Sequence, residues 1–178
     1  MKIRRSLMNS SPKNNFSSPS TEDLKFLTDA SLARLAKWLR ILGFDTTVYP
    51  QEAGRPMLRI ADQEKRIVLT RRQDMTERQF AGTLFLITDV VVGKQLKSVI
   101  EKFSLKIDRE RMFRICLECN EALKPVMREE VRDLVPPYVF ENCEQYNRCS
   151  RCGKIYWMGT HPRNALRFME RHIPNHLP

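Results

Sequence analysis

Histidine is scarce in this chain. Its 178 residues include three, His161, His172 and His176, all in the last stretch of the sequence. Ser31, at the head of a helical pattern, therefore has no imidazole near it in sequence to serve as a base. That argues against a hydroxyl nucleophile of the Ser–His kind. Long apolar runs are missing too. A spanning helix needs about 18 or more consecutive apolar residues, and no such stretch occurs. No membrane partner is expected. No self-similarity appears at the period of about 20–50 residues that marks solenoids and propellers.

Acids are absent before Glu22. Residues 1–24 combine Ser, Asn, Pro and basic side chains with little to bury, which predicts a disordered tail. An acid-poor, Ser-rich, Arg-bearing start also fits an organelle transit peptide, although no clear amphipathic helix accompanies it. The lack of a continuous apolar core argues against a secretory signal. The expected location is cytoplasmic, or organellar if the tail is a transit peptide.

What the sequence does hold is positive charge. Thirty-one Lys and Arg face 21 Asp and Glu, for a net charge of +10. Such a balance favours an anionic partner, and nucleic acid is the first candidate. It also holds five cysteines, four of them in two Cys-x-x-Cys pairs. The first pair is Cys116 and Cys119; the second is Cys149 and Cys152. Two such pairs can supply four thiolates to one tetrahedral Zn²⁺. Buried or disulfide-bonded cysteines are the alternative. Asn120 and Gly153 follow the pairs and suit tight turns. An all-thiolate site has no open ligand position, so the expected zinc is structural. Cys143 is a spare thiol or a substitute ligand.

Between the tail and the cysteines, strand and helix patterns alternate. Lys25–Asp29 reads as a short strand ending on an acid. Ser31 is the expected cap of a helix to about Leu42, with Leu32, Leu35, Ala36, Leu39 and Leu42 on one stripe and Arg34, Lys37 and Arg40 off it. Gly43 ends that helix. Strands are expected at Asp45–Tyr49, Arg66–Thr70 and Thr83–Thr88. Helices are expected at Pro56–Lys65, from Thr76 to about Phe80, and from about Gly93 to Phe103. Four strand–helix repeats predict an α/β fold with a parallel sheet covered by helices on both faces. From Arg111 to His161 the pattern becomes that of a β-rich zinc ribbon, with a short helix expected within 122–134. Pro162 to His172 reads as a closing helix with Leu166, Met169 and Ile173 as docking residues. The expected units are 25–110 and 111–178.

Ligands of a parallel α/β sheet bind beyond the carboxyl ends of its strands. Asp29 ends the first strand, Asp74 follows the third and Asp89 follows the fourth. Three carboxylates converging from these ends could hold Mg²⁺ or Mn²⁺, a site suited to phosphodiester cleavage. Glu52 is on the same side. Asp45 begins a strand and should lie at the opposite end, in a structural role. Arg71 and Arg72 leave the same edge as the acids. They could bind phosphate, or neutralise the acids in place of a metal. Tyr156 and Trp157 could stack on bases or pack the ribbon, and His161 could contact zinc or nucleic acid.

The blocks KFLTDASLARLAKWLRILGFDT, IADQEKRIVLTR, RICLECNEAL and YNRCSRCGKIYWMGTH occur in this order. Together they resemble the Mut-seven C-terminal RNase family, a branch of the PIN-like nucleases, over roughly residues 25–172. The resemblance implies a PIN-like sheet, a C-terminal zinc ribbon and metal-dependent RNase activity on RNA. By the same resemblance Asp29 is the first metal-binding aspartate, with Cys116, Cys119, Cys149 and Cys152 as zinc ligands. The chain departs from the family pattern at Arg72, at Arg55–Pro56 and at Lys94, each standing where an acid is usual. Asp74 is the expected substitute for the acid missing at Arg72. Two functions follow. One is a ribonuclease using Asp29, Asp74 and Asp89. The other is a catalytically weak or inactive module that binds RNA, with Arg71, Arg72, Lys94, Trp157 and His161 as nucleic-acid contacts.

Overall fold

The computed structural model describes residues 24–177. The expected tail at 1–24 lies outside the described residues except for Leu24, which packs against the larger core.

Four strands form one parallel sheet: β1 (Phe26–Thr28), β2 (Thr46–Val48), β3 (Ile67–Thr70) and β4 (Leu84–Leu86). Their order is β2-β1-β3-β4. In register, Leu27 lies beside Thr47 on one side and Val68 on the other. Helix α1 (Ala33–Ile41) connects β1 to β2, and α2 (Arg55–Gln63) crosses from β2 to β3. Helix α3 (Val92–Phe103) follows β4. Side chains alternate across a strand, so neighbours enter different cores. Phe26 and Leu69 join Leu35, Leu39, Leu96 and Ile100 on one face. Leu27 and Val68 join Met57, Leu58, Ala61 and Met75 on the other. The expected α/β fold, with helices on both faces of a parallel sheet, is what the chain forms.

Two local details differ from expectation. No α-helix runs from Thr76 to Phe80. A 3₁₀ turn at Gln73–Met75 replaces it, and the Thr76 hydroxyl donates backward to the Gln73 carbonyl at 2.7 Å rather than capping forward. At the head of α1, Asp29 supplies the cap in place of Ser31. Its carboxylate accepts from the Ser31 backbone N–H at 2.9 Å, opening a 3₁₀ turn (Ala30–Leu32) that leads into the helix. Gly43 ends α1 as expected, with φ of +90°. A Cβ there would stand 2.6 Å from the Arg111 carbonyl oxygen.

The second sheet is antiparallel, in the order β5 (Leu123–Val126), β6 (Tyr146–Cys149) and β7 (Ile155–Trp157). Strand β5 and a 3₁₀ turn at Arg128–Val131 occupy the segment where a short helix is expected. Residues 123–126 find partners in Tyr146–Cys149, and Pro125 is tolerated because β5 is an edge strand. Helix α4 (Pro137–Asn142) starts on the second proline of its pair. Val131, Val135 and Tyr146 form a small core of their own.

The closing helix α5 (Thr160–His172) packs against the first sheet's helices. Ala165, Met169 and Ile173 enter the same core as Phe26 and Leu96. Phe168 stacks on Trp38 of α1 with ring centroids 4.0 Å apart. Gly93 of α3 allows His172 to come close, since a Cβ at Gly93 would lie 1.9 Å from its ring. Among the described residues no helix is long and apolar enough to cross a membrane.

Candidate functional site

The four paired cysteines meet at one point. Their sulfur atoms all lie within 4.8 Å of one another. Cys116 Sγ and Cys152 Sγ are 3.8 Å apart. Four thiolates held about 2.3 Å from one ion have tetrahedral edges of about 3.8 Å. The donor set therefore fits zinc, and all four thiols are free. Each pair turns in the same way. The Asn120 N–H donates to the Cys116 carbonyl at 3.0 Å, and the Gly153 N–H donates to the Cys149 carbonyl at 2.9 Å. Both residues sit at positive φ, +63° and +73°, which Gly and Asn tolerate best. The Cys119 N–H reaches Cys116 Sγ at 3.4 Å, and the Tyr156 hydroxyl lies 3.2 Å from the same sulfur. Burial pushes the Cys116 thiol up. The Tyr156 hydroxyl and the backbone N–H groups of Cys119 and Glu118 outweigh it and bring the value to about 7. A sulfur so placed favours the thiolate that a metal requires. Cys143 packs in the small core instead.

A polar seam joins this centre to the parallel sheet. Arg40 of α1 is 5% exposed, contrary to the expectation that it lies off the buried stripe. Its Nε donates to the Thr46 carbonyl at 2.8 Å and its Nη1 to the Leu117 carbonyl at 2.5 Å. These acceptors offset the cost of burying the guanidinium. Asn120 takes the Thr46 N–H at 2.8 Å and donates to Asp45. Asp45 is also held by Arg66 at 2.7 Å. Burial raises the Asp45 carboxyl, but the hydrogen bonds from Arg66 and Asn120 prevail and hold it below its usual value. Lys37 and Lys154 both reach Glu118, at 3.0 and 3.4 Å. Asp45 thus lies directly before β2, bound by Arg66 and Asn120.

The carboxyl ends of the strands lie at the other end of the sheet. Asp29 sits there, 5% exposed. One carboxylate oxygen accepts from the Ser31 N–H at 2.9 Å and the Ser31 hydroxyl at 2.5 Å. The other accepts from the Thr70 hydroxyl at 2.6 Å and the Arg71 N–H at 3.2 Å. Thr28 Oγ1, on the preceding residue, is buried without a hydrogen-bond partner among the described residues.

Asp74 and Glu52 turn toward arginines. Arg72 donates to Asp74 through Nε at 2.9 Å and Nη2 at 3.1 Å, and to Glu52 through Nη1 at 2.7 Å. Arg78 adds a further bond to Asp74 at 2.9 Å. The two guanidinium groups hold the Asp74 carboxyl down at about 2. Asp89 lies beyond β4, where its carbonyl takes the Gln95 amide at 2.9 Å. Lys94, in the first turn of α3, and Arg71 are exposed. His161 is exposed in the first turn of α5. Trp157 is half-buried against the small core of the second sheet.

Mg²⁺ and Mn²⁺ take carboxylate oxygens that are free to converge on the ion. Both oxygens of Asp29 already accept hydrogen bonds, and Asp74 and Glu52 are tied to arginine. Among the described residues the cysteines are the one group of three or more His, Cys, Asp or Glu close enough to hold a metal. The carboxylates in this arrangement do not fit a divalent cation.

Four participants escaped sequence reasoning. Arg40, Asn120 and Thr70 work through partners far away in the chain, and Arg78 reaches Asp74 from a segment read as a helix. The one available signal was that Asn120 and Gly153 occupy equivalent places after their cysteine pairs.

Compared with protein-family models, the chain matches the Mut7-C RNAse domain over residues 24–169. No curated protein matches it.

Proposed function

The chain belongs to the Mut7-C RNAse domain family, whose match runs over residues 24–169, and on that basis we propose that it is an RNA-binding protein whose hydrolytic edge is neutralised by arginine. The carrying observation is the position of Arg72, whose guanidinium takes both oxygens of Asp74 and one of Glu52. Where a nuclease of this design needs a cation between carboxylates, Arg72 supplies a fixed positive charge. A guanidinium cannot activate water as a metal does, but it recognises phosphate oxygens well. The net charge of +10 supports a polyanionic partner. In this reading the cysteine centre holds a structural zinc that sets the second sheet beside the first.

Hydrolysis is the second reading. It is favoured by Asp29, a buried carboxylate at the carboxyl end of β1, preceded by Thr28, whose buried hydroxyl has no hydrogen-bond partner among the described residues. One experiment separates the two. A labelled single-stranded RNA is incubated with the full chain across a titration of Mg²⁺ and Mn²⁺, using wild type, Asp29→Asn, Arg72→Asp and the double variant. The proposal expects wild type to bind without cleaving. It expects cleavage to appear in Arg72→Asp and to vanish again when Asp29→Asn is added. Metal-dependent cleavage by wild type, lost in Asp29→Asn, would establish the second reading instead.

A further inference from the structure

We propose that a groove between α2 and residues 77–81 carries the RNA strand past the arginine-filled edge. This rests on the RNA-binding reading above and deepens it by assigning the path of the strand. The groove encloses about 800 Å³, within the range of roughly 300–1,000 Å³ usual for ligand clefts. One wall is a helical face. Arg55, Leu58, Arg59 and Asp62 of α2 stand at the spacing that places residues on one side of a helix. The opposite wall presents Glu77, Arg78 and Phe80.

Charge favours a polyanion, because Arg55, Arg59 and Arg78 outnumber Asp62 and Glu77 in the lining. Arg55 and Arg59 are exposed, and among the described residues neither has an ion-pair partner. Asp62 is already held by Lys65 at 3.2 Å. Two unspent guanidinium groups about one helical turn apart suit successive phosphates. Phe80 gives the groove an aromatic side chain for stacking. Its ring is partly buried against the core of Leu27, Met57 and Val68 and lies over Gly82, where a Cβ would stand 2.4 Å from Phe80 Cζ. Arg78 connects the groove to the strand edge. It lines the groove, its Nη1 lies 3.9 Å from where a Gly54 Cβ would be, and it holds Asp74 beside Arg72. The line Arg72–Asp74–Arg78–Arg55–Arg59 thus runs from the ends of the strands along α2.

The test measures affinity of the full chain for a labelled oligouridylate by fluorescence anisotropy at several salt concentrations. The variants are Arg55→Gln/Arg59→Gln, Phe80→Leu, and the charge-matched control Lys97→Gln/Lys106→Gln on and after α3. Circular dichroism and thermal melts verify that each is folded. Arg55→Gln/Arg59→Gln is expected to weaken binding about tenfold. It should also lower the slope of log affinity against log salt by about 1.4, since each phosphate contact on a single strand contributes about 0.7. Phe80→Leu should weaken binding about threefold with an unchanged slope. The control should change affinity by less than twofold. If wild type binds RNA and the groove variants match the control, the groove is not the path and RNA binding itself stands. If wild type shows no salt-dependent binding, both the groove and the RNA-binding reading fall.

Discussion

Asn120 donates to the Asp45 carboxylate across a separation of 75 residues. The same side chain accepts the Thr46 N–H at 2.8 Å, so one amide closes the seam between the cysteine centre and the edge of the parallel sheet. Its backbone has a second duty, at φ of +63° in the turn after Cys119. Replacement by Gly keeps the turn and deletes the amide. Asn120→Gly is therefore expected to cost about 1–3 kcal/mol, mostly from the Thr46 N–H left unpaired. Denaturant unfolding measures it. Asn120→Asp keeps an acceptor for Thr46 but sets a second carboxylate against Asp45, and should be more destabilising above about pH 5 than below about pH 3.

The cysteine centre should hold one zinc per chain by elemental analysis. Cys116→Ser is expected to abolish binding, because it removes one of four ligands from a closed site. Cys143→Ser should leave the stoichiometry unchanged, since Cys143 is packed in the core of the second sheet. A chelator should lower the melting temperature of wild type and of Cys143→Ser alike.

Asp74 gives the strand edge an acid dependence of known sign. Arg72 and Arg78 hold its carboxyl at about 2, below the unfolded value of about 3.9. A depressed folded value contributes stability above the unfolded one and loses it as pH falls from about 4 toward about 2. The carboxyl carbon resonance of Asp74 should follow this titration, and Arg72→Gln should shift its midpoint upward. The pair is partly exposed to solvent, so high salt should reduce the shift.

Gly43 and Met169 test packing. Gly43→Ala forces a side chain into positive φ and toward the Arg111 carbonyl at 2.6 Å. It should cost on the order of 1–3 kcal/mol or more. Met169 is wholly buried on α5, and Met169→Ala should cost about 2–5 kcal/mol. Equilibrium unfolding should show that loss in the transition of the first sheet, whose core Met169 shares.

The parallel sheet was legible because its strands are apolar or β-branched runs bounded by turn residues and alternate with helical patterns, an order that itself implies a parallel sheet. The zinc ligands were legible because two sulfurs on one tight turn require a fixed spacing. Strand β5 was not, because its four residues LKPV are half polar or proline, Pro125 reads as a strand breaker, and only pairing with Tyr146–Cys149 makes the segment a strand. At 76–80, where a helix is expected, the Thr76 hydroxyl bonds backward to the Gln73 carbonyl rather than forward, a choice that spacing does not reveal. Arg40 carries a charge in a pattern of buried leucines, and its two carbonyl acceptors lie on strands and turns that no helical period reveals. At the carboxyl edge, spacing alone placed Asp29 and Asp74 on one side. Whether their oxygens were free depended on Ser31, Thr70, Arg72 and Arg78, and so on side-chain geometry.

The docking of α5 has a consequence for how the molecule is made. The face of the first sheet around Phe26 and Leu96 is completed by Ala165, Met169 and Ile173. In a growing chain the residues of all four parallel strands are synthesised before those residues appear. Until then α1 and α3 cover that face but the part that α5 fills stays open, a condition that exposes intermediates to aggregation. The second sheet, whose strands and cysteines all precede α5 in the chain, can form during that interval. The core around Phe26 and Leu96 is therefore completed only by α5, a helix that follows the second sheet in the chain.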